Sequence, residues 1–284
     1  METVRLPRVM QDTAIKERCR GKSIGLVPTM GALHDGHMAL IRAAREENDI
    51  AVVSIFVNPT QFAAGEDFEK YPRDIGGDVE KIRELADVLF LPDVSALYPE
   101  GHSTSVDVEG LSGLMCGAFR PGHFRGVATV VLKLFNIIQP TRAYFGLKDY
   151  QQTAVVRRLV KDLHLPVDVV LCPTVREADG LAMSSRNAYL APEERKAAPV
   201  LYRALAAGAD AIKQGEKNAS RVREIMREVL AREPLVKEVD YISAYDPETL
   251  QELENVEKSG VLLAGGVKIG AARLIDNLVF NGLQ

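Results

Sequence analysis

Two histidines and two glycines lie close together early in the chain, in the segment Met30-Gly31-Ala32-Leu33-His34-Asp35-Gly36-His37. The segment follows an apolar run, Ser23–Val27, and precedes a run with helical spacing of apolar residues, Met38–Glu47. Glycine lets the backbone approach a ligand closely, and the start of a helix presents unpaired N–H groups and the positive end of its dipole. The pattern therefore favours a phosphate-binding turn in which His34 and His37 share one face. A glycine turn with two solvated histidines is the alternative.

Three further segments place polar side chains after a predicted strand or before a predicted helix: Asn58-Pro59-Thr60-Gln61-Phe62, Arg120-Pro121-Gly122-His123-Phe124-Arg125-Gly126 and Gly146-Leu147-Lys148-Asp149-Tyr150-Gln151-Gln152. The amides of the first suit a substrate hydroxyl or carboxylate, although an ordinary Asn-Pro turn has the same composition. The second could contact an anion or cap the following helix. In the third, Lys148 could reach a phosphate as a point charge, with Asp149 as N-cap; a plain surface lysine is the alternative.

A fifth segment, Met183-Ser184-Ser185-Arg186-Asn187, follows Gly180 at a predicted domain boundary. Two hydroxyls and a guanidinium on a mobile linker would make a triphosphate clamp. An ordinary loop is the alternative, because these residue types are common in loops.

Metal-binding patterns are weak in this sequence. His34 and His37 lack the Glu of a His-Glu-x-x-His zinc motif, and the chain has neither a Gly-x-Gly-x-x-Gly nor a P-loop pattern. A Mg²⁺ ion held mainly by substrate phosphates and one carboxylate fits better, with Asp78 or Asp74 as that carboxylate.

Composition excludes several classes of protein. The chain has 284 residues, 46% of them hydrophobic, and a formal net charge of −4, which argues against a nucleic-acid-binding protein. The cysteines Cys19, Cys116 and Cys172 have no paired spacing, and we expect free thiols in a reducing compartment. The N-terminus does not resemble a signal sequence, and no apolar run reaches membrane-spanning length. We expect a cytoplasmic protein.

Apolar strands alternate with helices in the first part of the chain. The predicted strands are Ser23–Val27, Ile50–Val57, Val88–Leu91, Ala143–Phe145 and Val167–Leu171, and the predicted helices are 38–47, Asp78–Ala86, Gly126–Ile138 and Tyr150–Leu163. This order predicts an α/β fold, a doubly wound parallel sheet that binds ligands at the carboxyl ends of its strands. The segments with His34–His37 and Asn58–Gln61 should therefore meet in one crevice.

The alternation of strands and helices changes from about residue 190, and we place a boundary near residue 180, between domains 1–180 and 181–284. The second domain is predicted to be a smaller α+β domain. It should contain one long helix, Pro192–Lys213, a helix Ala219–Ala231, a turn at Gly265-Gly266, and strands at Val239–Ala244, Gly260–Leu263 and Arg273–Phe280.

Taken in order, these segments closely resemble the pantoate–β-alanine ligase (pantothenate synthetase) family, and two more segments, Tyr71-Pro72-Arg73 and 175–187, extend the match over nearly the whole chain. The resemblance implies a Rossmann-like nucleotidyltransferase fold, with ATP and pantoate bound by the first domain and a lid formed by the second. It implies that pantoate attacks the α-phosphorus of Mg·ATP to form pantoyl adenylate, and that β-alanine then releases pantothenate and AMP. It also implies a homodimer.

The resemblance further implies roles for individual residues. His37 would be the proton donor, and His34, Lys148 and Arg186 would complete the catalytic set. ATP would be bound by Met30, Gly31, Ala32, Leu33, His34, Asp35, Gly36, His37, Gly146, Leu147, Lys148, Asp149, Val175, Met183, Ser184, Ser185 and Arg186. Pantoate and β-alanine would be held by Gln61, Gln152, Asn58 and His123.

The chain departs from the family pattern at two positions. Leu147 stands where many relatives have Glu, so a main-chain contact at this position would survive but a carboxylate role would not. Gly77-Asp78 stands where some relatives have adjacent acidic residues, which weakens the metal assignment to Asp78. An enzyme that stops at an adenylylated product and a catalytically silent nucleotide-binding protein are the alternatives to the ligase.

Overall fold

The strands form two sheets in the computed structural model, which describes residues 1–63, 65–256 and 260–280. The strands are β1 (Glu2–Val4), β2 (Ile24–Thr29), β3 (Ile50–Ile55), β4 (Val88–Phe90), β5 (Arg142–Gly146), β6 (Asp168–Cys172), β7 (Val236–Tyr245), β8 (Val261–Ile269) and β9 (Ala272–Phe280). One sheet has the order β1-β4-β3-β2-β5-β6 and the other the order β7-β8-β9. The first is parallel throughout its pairs and the second antiparallel, so the predicted fold class is confirmed.

In the first part of the chain, the described residues form the four predicted helices, with shifted ends, and three further helices, two of them short. The helices are α1 (Pro7–Cys19), α2 (Asp35–Glu47), α3 (Ile75–Ile82), α4 (Val94–Leu97), α5 (Met115–Phe119), α6 (His123–Ile138), α7 (Tyr150–Asp162), α8 (Pro192–Ala197), α9 (Val200–Lys213) and α10 (Ala219–Ala231). Among all the residues that the structure describes, no helix is long and apolar enough to span a bilayer.

The chain divides into two compact units. Unit 1 comprises Met1–Ser112, Arg120–Gly146 and Val155–Pro173, and unit 2 comprises Gly113–Phe119, Leu147–Ala154 and Thr174–Gln284. Unit 2 thus takes in two short segments from the first part of the chain. The functional division into domains 1–180 and 181–284 remains a prediction.

In unit 1, the sheet order reverses at β2, which lies between β3 and β5. Crevices at such a reversal bind ligands in doubly wound folds, beyond the carboxyl ends of the strands. β2 and β3 end at the same level of the sheet, since their last residues, Thr29 and Ile55, are paired. The apolar core beside them includes Val27, Val53 and Ile41, none of which is exposed to solvent. The segments that follow β2 and β3 therefore both start from a buried part of the sheet, at its carboxyl edge.

In unit 2, the predicted helix over Pro192–Lys213 is two helices, α8 and α9. Pro199 lies just before α9, and its nitrogen has no hydrogen to donate to the carbonyl one turn earlier. The helical pattern of apolar residues continues across this proline, which is why the sequence prediction joined the two helices.

The prediction of a turn at Gly265-Gly266 is wrong, because both glycines lie inside β8. A Cβ atom at Gly265 would lie 2.9 Å from Leu201 Cδ1, and one at Gly266 would lie 2.7 Å from Tyr241 Cε1. The glycines thus make room for neighbouring side chains. The hairpin turns instead at Gly270, which has a φ of +59° and follows the paired residue Ile269.

Candidate active site

The two histidines of the opening motif form the N-terminal cap of α2. His34 is the N-cap residue, and its Nδ1 accepts a hydrogen bond of 3.2 Å from the N–H of Gly36. His37 Nδ1 accepts one of 3.3 Å from the N–H of His34, and the two ring centroids are 4.1 Å apart. The predicted helix start at His34 is confirmed.

These hydrogen bonds determine which ring nitrogen carries the proton. Each Nδ1 accepts from a main-chain N–H, so in the neutral ring the proton is on Nε2. Protonating Nδ1 would break the cap, and the positive end of the helix dipole also disfavours a cation. His34 and His37 are therefore built as neutral N–H donors at the start of a helix, which suits an anionic ligand.

Asp78 holds the loop that precedes these histidines. Its Oδ2 accepts from the N–H of Ala32 and its Oδ1 from the N–H of Leu33, both at 2.8 Å, and the side chain is buried. Lys81 donates to the carbonyl of Leu33 at 2.6 Å. Gly31 and Ala32 have φ values of +83° and +50°, a conformation that needs support at a non-glycine residue. Asp78 is thus a structural clamp for the loop.

Gln61 lies beside the same loop. Its Nε2 donates to Met30 Sδ at 3.0 Å, and its Oε1 accepts from Asn58 Nδ2 at 3.1 Å. The segments after β2 and β3 therefore meet, as the sequence predicted. Asn58 is 1% exposed and also donates to the carbonyl of Gly126 at 3.1 Å. Burial raises the pKa of Tyr98, whose hydroxyl donates to Asn58 Oδ1 at 2.9 Å.

A charged network supports the main chain of Gln61. Arg120 is buried and forms two hydrogen bonds with Glu66, of 2.7 Å from Nε and 2.6 Å from Nη2. Burial acts to raise the pKa of Glu66, but the hydrogen bonds and charge of Arg120 lower it on balance. His123 Nδ1 donates to the carbonyl of Gln61 at 2.8 Å, and its Nε2 accepts from Arg120 at 3.1 Å. Arg120 thus pairs with a carboxylate of this chain.

In unit 2, Lys148 lies on a 3₁₀ turn, Leu147–Asp149, that follows directly after the last residue of β5, Gly146. The Lys148 ammonium is 3.5 Å from Asp149 Oδ1, and its side chain is 18% exposed. Gln151, on the first turn of α7, is buried and donates to the carbonyl of Leu114 at 2.6 Å, whereas Gln152 is half-buried. Gln151 therefore supports the main chain of Leu114, and the assignment of Gln152 to a ligand stays a prediction.

The segment before α8, also in unit 2, forms a short hairpin. Met183 N–H donates to the carbonyl of Val175 at 3.0 Å, and Arg176 forms a β-bridge with Ala182. The hairpin leads into a 3₁₀ turn, Ser185–Tyr189, whose N-cap is Ser184. Ser184 Oγ accepts from the N–H of Arg186 at 3.3 Å. Ser184, Ser185 and Arg186 therefore lie together at the start of this turn, and their role as a phosphate clamp stays a prediction.

Several supporting residues were not predicted from the sequence. Glu66 and Tyr98 lie outside every motif, 54 and 40 residues from the partners they contact, Arg120 and Asn58. Asp276 and Asn277 gave a usable signal, because two adjacent polar residues interrupt the apolar strand Leu274–Val279. Buried polar groups of this kind need hydrogen-bond partners.

The metal prediction gains no support from the geometry. Over residues 1–63, 65–256 and 260–280, no cluster of three or more His, Cys, Asp or Glu side chains could hold a metal ion. Both oxygens of Asp78 are bonded to loop amides, and Asp74 Oδ1 accepts from the N–H of Gly77 as the N-cap of α3.

The chain matches the family model described as Pantoate-beta-alanine ligase over residues 2–279. It is 59% identical over 280 residues to a pantothenate synthetase of Thermodesulfovibrio yellowstonii, which covers 98% of this chain and 99% of that protein. It is 56% identical over 257 residues to a pantothenate synthetase of Herpetosiphon aurantiacus, with 90% of this chain and 93% of that protein covered.

Solved structures are similar over the same length. A pantothenate synthetase from Thermus thermophilus superposes with a TM-score of 0.94 at 49% identity, covering 99% of this chain and 100% of that one. A pantoate-beta-alanine ligase from Francisella tularensis, complexed with beta-gamma ATP and beta-alanine, superposes with a TM-score of 0.78 at 34% identity, covering 98% and 97%.

Proposed function

The chain belongs to the pantoate–β-alanine ligase family, and we propose that it uses ATP to join pantoate to β-alanine. In the first half-reaction, a carboxylate oxygen of pantoate attacks the α-phosphorus of ATP. The bond from that phosphorus to the bridging oxygen breaks, which yields pantoyl adenylate and pyrophosphate. In the second, the unprotonated amine of β-alanine attacks the acyl carbon, AMP leaves, and the nitrogen loses a proton as the amide forms.

The observation that carries this proposal is the cap of α2. His34 and His37 are tied to the main chain through Nδ1, so their Nε2–H groups are the ring donors. Negative charge grows on the departing pyrophosphate, and preorganised donors stabilise such charge without reorganising. We assign both rings to the phosphates, with His37 as the hydrogen-bond donor to the leaving group. A neutral ring gives a hydrogen bond from its Nε2–H to an oxygen of the pyrophosphate and keeps the proton.

By the family resemblance, basic and hydroxyl side chains of unit 2 are also assigned to ATP. Lys148 and Arg186 supply positive charge, and Ser184 and Ser185 supply hydroxyl groups, to the triphosphate and the departing pyrophosphate. The remaining nucleotide contacts are assigned to main-chain atoms of 30–36, 146–149, Val175 and Met183. Since little covalent work falls to the protein in phosphoryl-type transfer, positioning and charge stabilisation supply most of the rate.

Gln61 and Gln152 are assigned to pantoate, whose hydroxyls and carboxylate need groups that both donate and accept. Asn58 and His123 were predicted to line the acyl and amine pocket. Asn58 donates both of its amide hydrogens, to Gln61 and to Gly126, and its Oδ1 accepts from Thr60 and Tyr98, whereas each end of the Gln61 amide makes one contact. Both ring nitrogens of His123 bind Gln61 or Arg120. We therefore propose that Asn58 and His123 support Gln61 and do not contact substrate directly.

Mg²⁺ is proposed to enter with ATP as its complex, and no protein ligand is assigned to it, because Asp78 is engaged with the loop amides. A homodimer and a cytoplasmic location are likewise proposals. The first is carried by the family resemblance, and the second by the biosynthetic reaction and its need for ATP.

The test is pyrophosphate release with ATP, Mg²⁺ and pantoate, with and without β-alanine. We expect pantoate-dependent pyrophosphate in both cases, and AMP and pantothenate only when β-alanine is present. Adenylate that β-alanine does not convert would indicate an enzyme that stops at the adenylylated product. Absence of pantoate-dependent pyrophosphate would refute the ligase.

A further inference from the structure

Two adjacent buried residues of β9, Asp276 and Asn277, contact both segments of unit 2 that we assign to the phosphates. They are 5% and 6% exposed, although successive residues of a strand point to opposite faces. Ala272 and Leu274 are buried, whereas Arg273 and Ile275, which follow them, are half-buried. This alternation along β9 ends at Asp276 and Asn277, which are both buried. Because both residues are buried, other parts of the protein must cover both faces of the strand at this pair.

Asn277 is covered by the turn that bears Lys148. Its Nδ2 donates to the carbonyl of Leu147 at 2.9 Å and to the carbonyl of Lys148 at 2.8 Å. Both hydrogens of one amide are thus used on consecutive carbonyls of a single turn. These contacts are to main-chain atoms, so they do not require the Glu that many relatives have in place of Leu147.

Asp276 holds the hairpin that leads to Ser184. Arg176 forms a bidentate pair with Asp276, with bonds of 2.6 Å to Oδ2 and 2.9 Å to Oδ1. The same guanidinium donates to the carbonyl of Gly180 at 3.0 Å and lies 4.3 Å from the centroid of the Tyr202 ring. Planar, bidentate contacts of this kind set orientation as well as position.

The two anchors are also joined to each other. Arg176 Nη2 donates to the carbonyl of Asn277 at 3.3 Å, and the N–H of Asn277 donates to Asp276 Oδ1 at 2.8 Å. A displacement of either side chain is therefore transmitted to the other, through one strand that is paired along its length with β8.

We propose that Asp276 and Asn277 are positioning residues for nucleotide binding, which place the Lys148 turn and the Ser184–Arg186 turn on one common support. This inference rests on the proposed function, because it takes both turns to bind phosphate. Neither residue touches substrate. Their effect is on the geometry of the groups that do, and a displacement of about 1 Å in such groups can cost about 100-fold in rate.

The test compares Asn277→Asp and Asp276→Asn with Asp240→Asn. The first replaces the donor amide by an oxygen that repels two carbonyls, and the second removes the charge opposite Arg176. Asp240 provides the matched control, since it is a buried aspartate of the same sheet that pairs with Arg273 instead, at 2.6 Å. Three measurements are made: KM for ATP and for pantoate, affinity for β,γ-imido-ATP by calorimetry, and backbone hydrogen exchange.

We expect Asn277→Asp and Asp276→Asn each to raise KM for ATP and weaken β,γ-imido-ATP binding about 10-fold or more, with KM for pantoate changed less than about 2-fold. Exchange should accelerate over 147–154 in Asn277→Asp and over 174–187 in Asp276→Asn. Asp240→Asn should change neither the ATP parameters nor hydrogen exchange in these two segments. If a variant fails to fold, Arg176→Lys keeps the charge, loses the bidentate geometry, and should give the same shift in ATP affinity.

Lower stability with unchanged ATP parameters would overturn the inference and leave a purely structural pair. Failure of the proposed function looks different. In that case the wild-type protein would bind β,γ-imido-ATP, and the variants would weaken that binding, but no pantoate-dependent pyrophosphate would form.

Discussion

Asp78 accepts a hydrogen bond of 2.8 Å from the N–H of Leu33, the residue just before the first histidine of the cap. Its other oxygen accepts a hydrogen bond from the N–H of Ala32, so one buried carboxylate binds two consecutive amides of a loop with positive φ values. A side chain that looked like a metal ligand in the sequence is instead part of the loop that presents His34 and His37.

Asp78→Asn should therefore damage the loop. The amide nitrogen would face a main-chain N–H, so we expect the free energy of unfolding to fall by about 1–3 kcal/mol. We also expect kcat/KM for ATP to fall about 10-fold or more, because the histidines are displaced. Urea denaturation and steady-state kinetics measure the two effects. Asp74→Asn, on the neighbouring N-cap, should be nearly neutral, since asparagine caps as well as aspartate. A raised Mg²⁺ requirement with unchanged ATP affinity would restore Asp78 as a metal ligand.

His37→Ala should lower the rate of pantoyl adenylate formation about 100-fold or more, on the scale of a lost transition-state donor. Single-turnover release of pyrophosphate measures this step directly. The control is His164→Asn, at an exposed position with a φ of +50°, which asparagine tolerates. A folded His37→Ala enzyme with near-normal adenylation would show that the cap serves only the helix.

Lys148→Ala should slow the same step by about 100-fold or more, because the triphosphate loses a cation. Lys161→Ala removes an exposed lysine of α7 and should leave the rate unchanged. The phosphate assignment for the Leu147–Asp149 turn would fail if both variants behaved alike.

Gln61→Ala should act on pantoate. We expect KM for pantoate to rise about 10-fold, while KM for ATP stays within about 2-fold, since the amide is assigned to the acyl substrate and a bidentate or paired hydrogen bond is worth about 1–2 kcal/mol. Initial rates over a grid of both substrates separate the two constants. An effect confined to ATP would contradict the assignment.

Glu66→Gln should change how stability depends on pH. The pKa of Glu66 is lowered in the folded protein, so its charged form contributes stability above its ordinary pKa of 4.5 that is lost as the pH falls through the lowered value. At pH 7 the variant should be less stable, by about 1–3 kcal/mol, because Arg120 is left buried and incompletely paired. The gap between the proteins should begin to narrow below pH 4.5 and should close as the pH falls through the lowered pKa, where the carboxyl of the folded wild-type protein also becomes neutral. Urea titrations at several pH values measure it, and a gap independent of pH would contradict the role of the charge.

Much of the fold could be predicted because its signals are local. β3 begins at Ile50, as predicted, and α2 is capped by the histidine that the motif marked. The two errors have different causes. Apolar spacing continued through Pro199, whose missing N–H separates the two helices. Gly265 and Gly266 looked like a turn, but they lie in a strand and make room for Leu201 and Tyr241. The strand β1 and the helix α1 were not predicted.

The candidate site was predictable in its residue types and only partly in its contacts. The sequence by itself determined which segments carry donors and cations, and that His34 starts a helix, because capping and glycine conformation act over a few residues. Only the tertiary structure decided that Asp78 clamps Ala32, that Arg120 pairs with Glu66, and that Asn277 holds the Lys148 turn, 129 residues away. A buried polar group must find a partner, but which partner it finds depends on distance in space, and a linear sequence does not contain that distance.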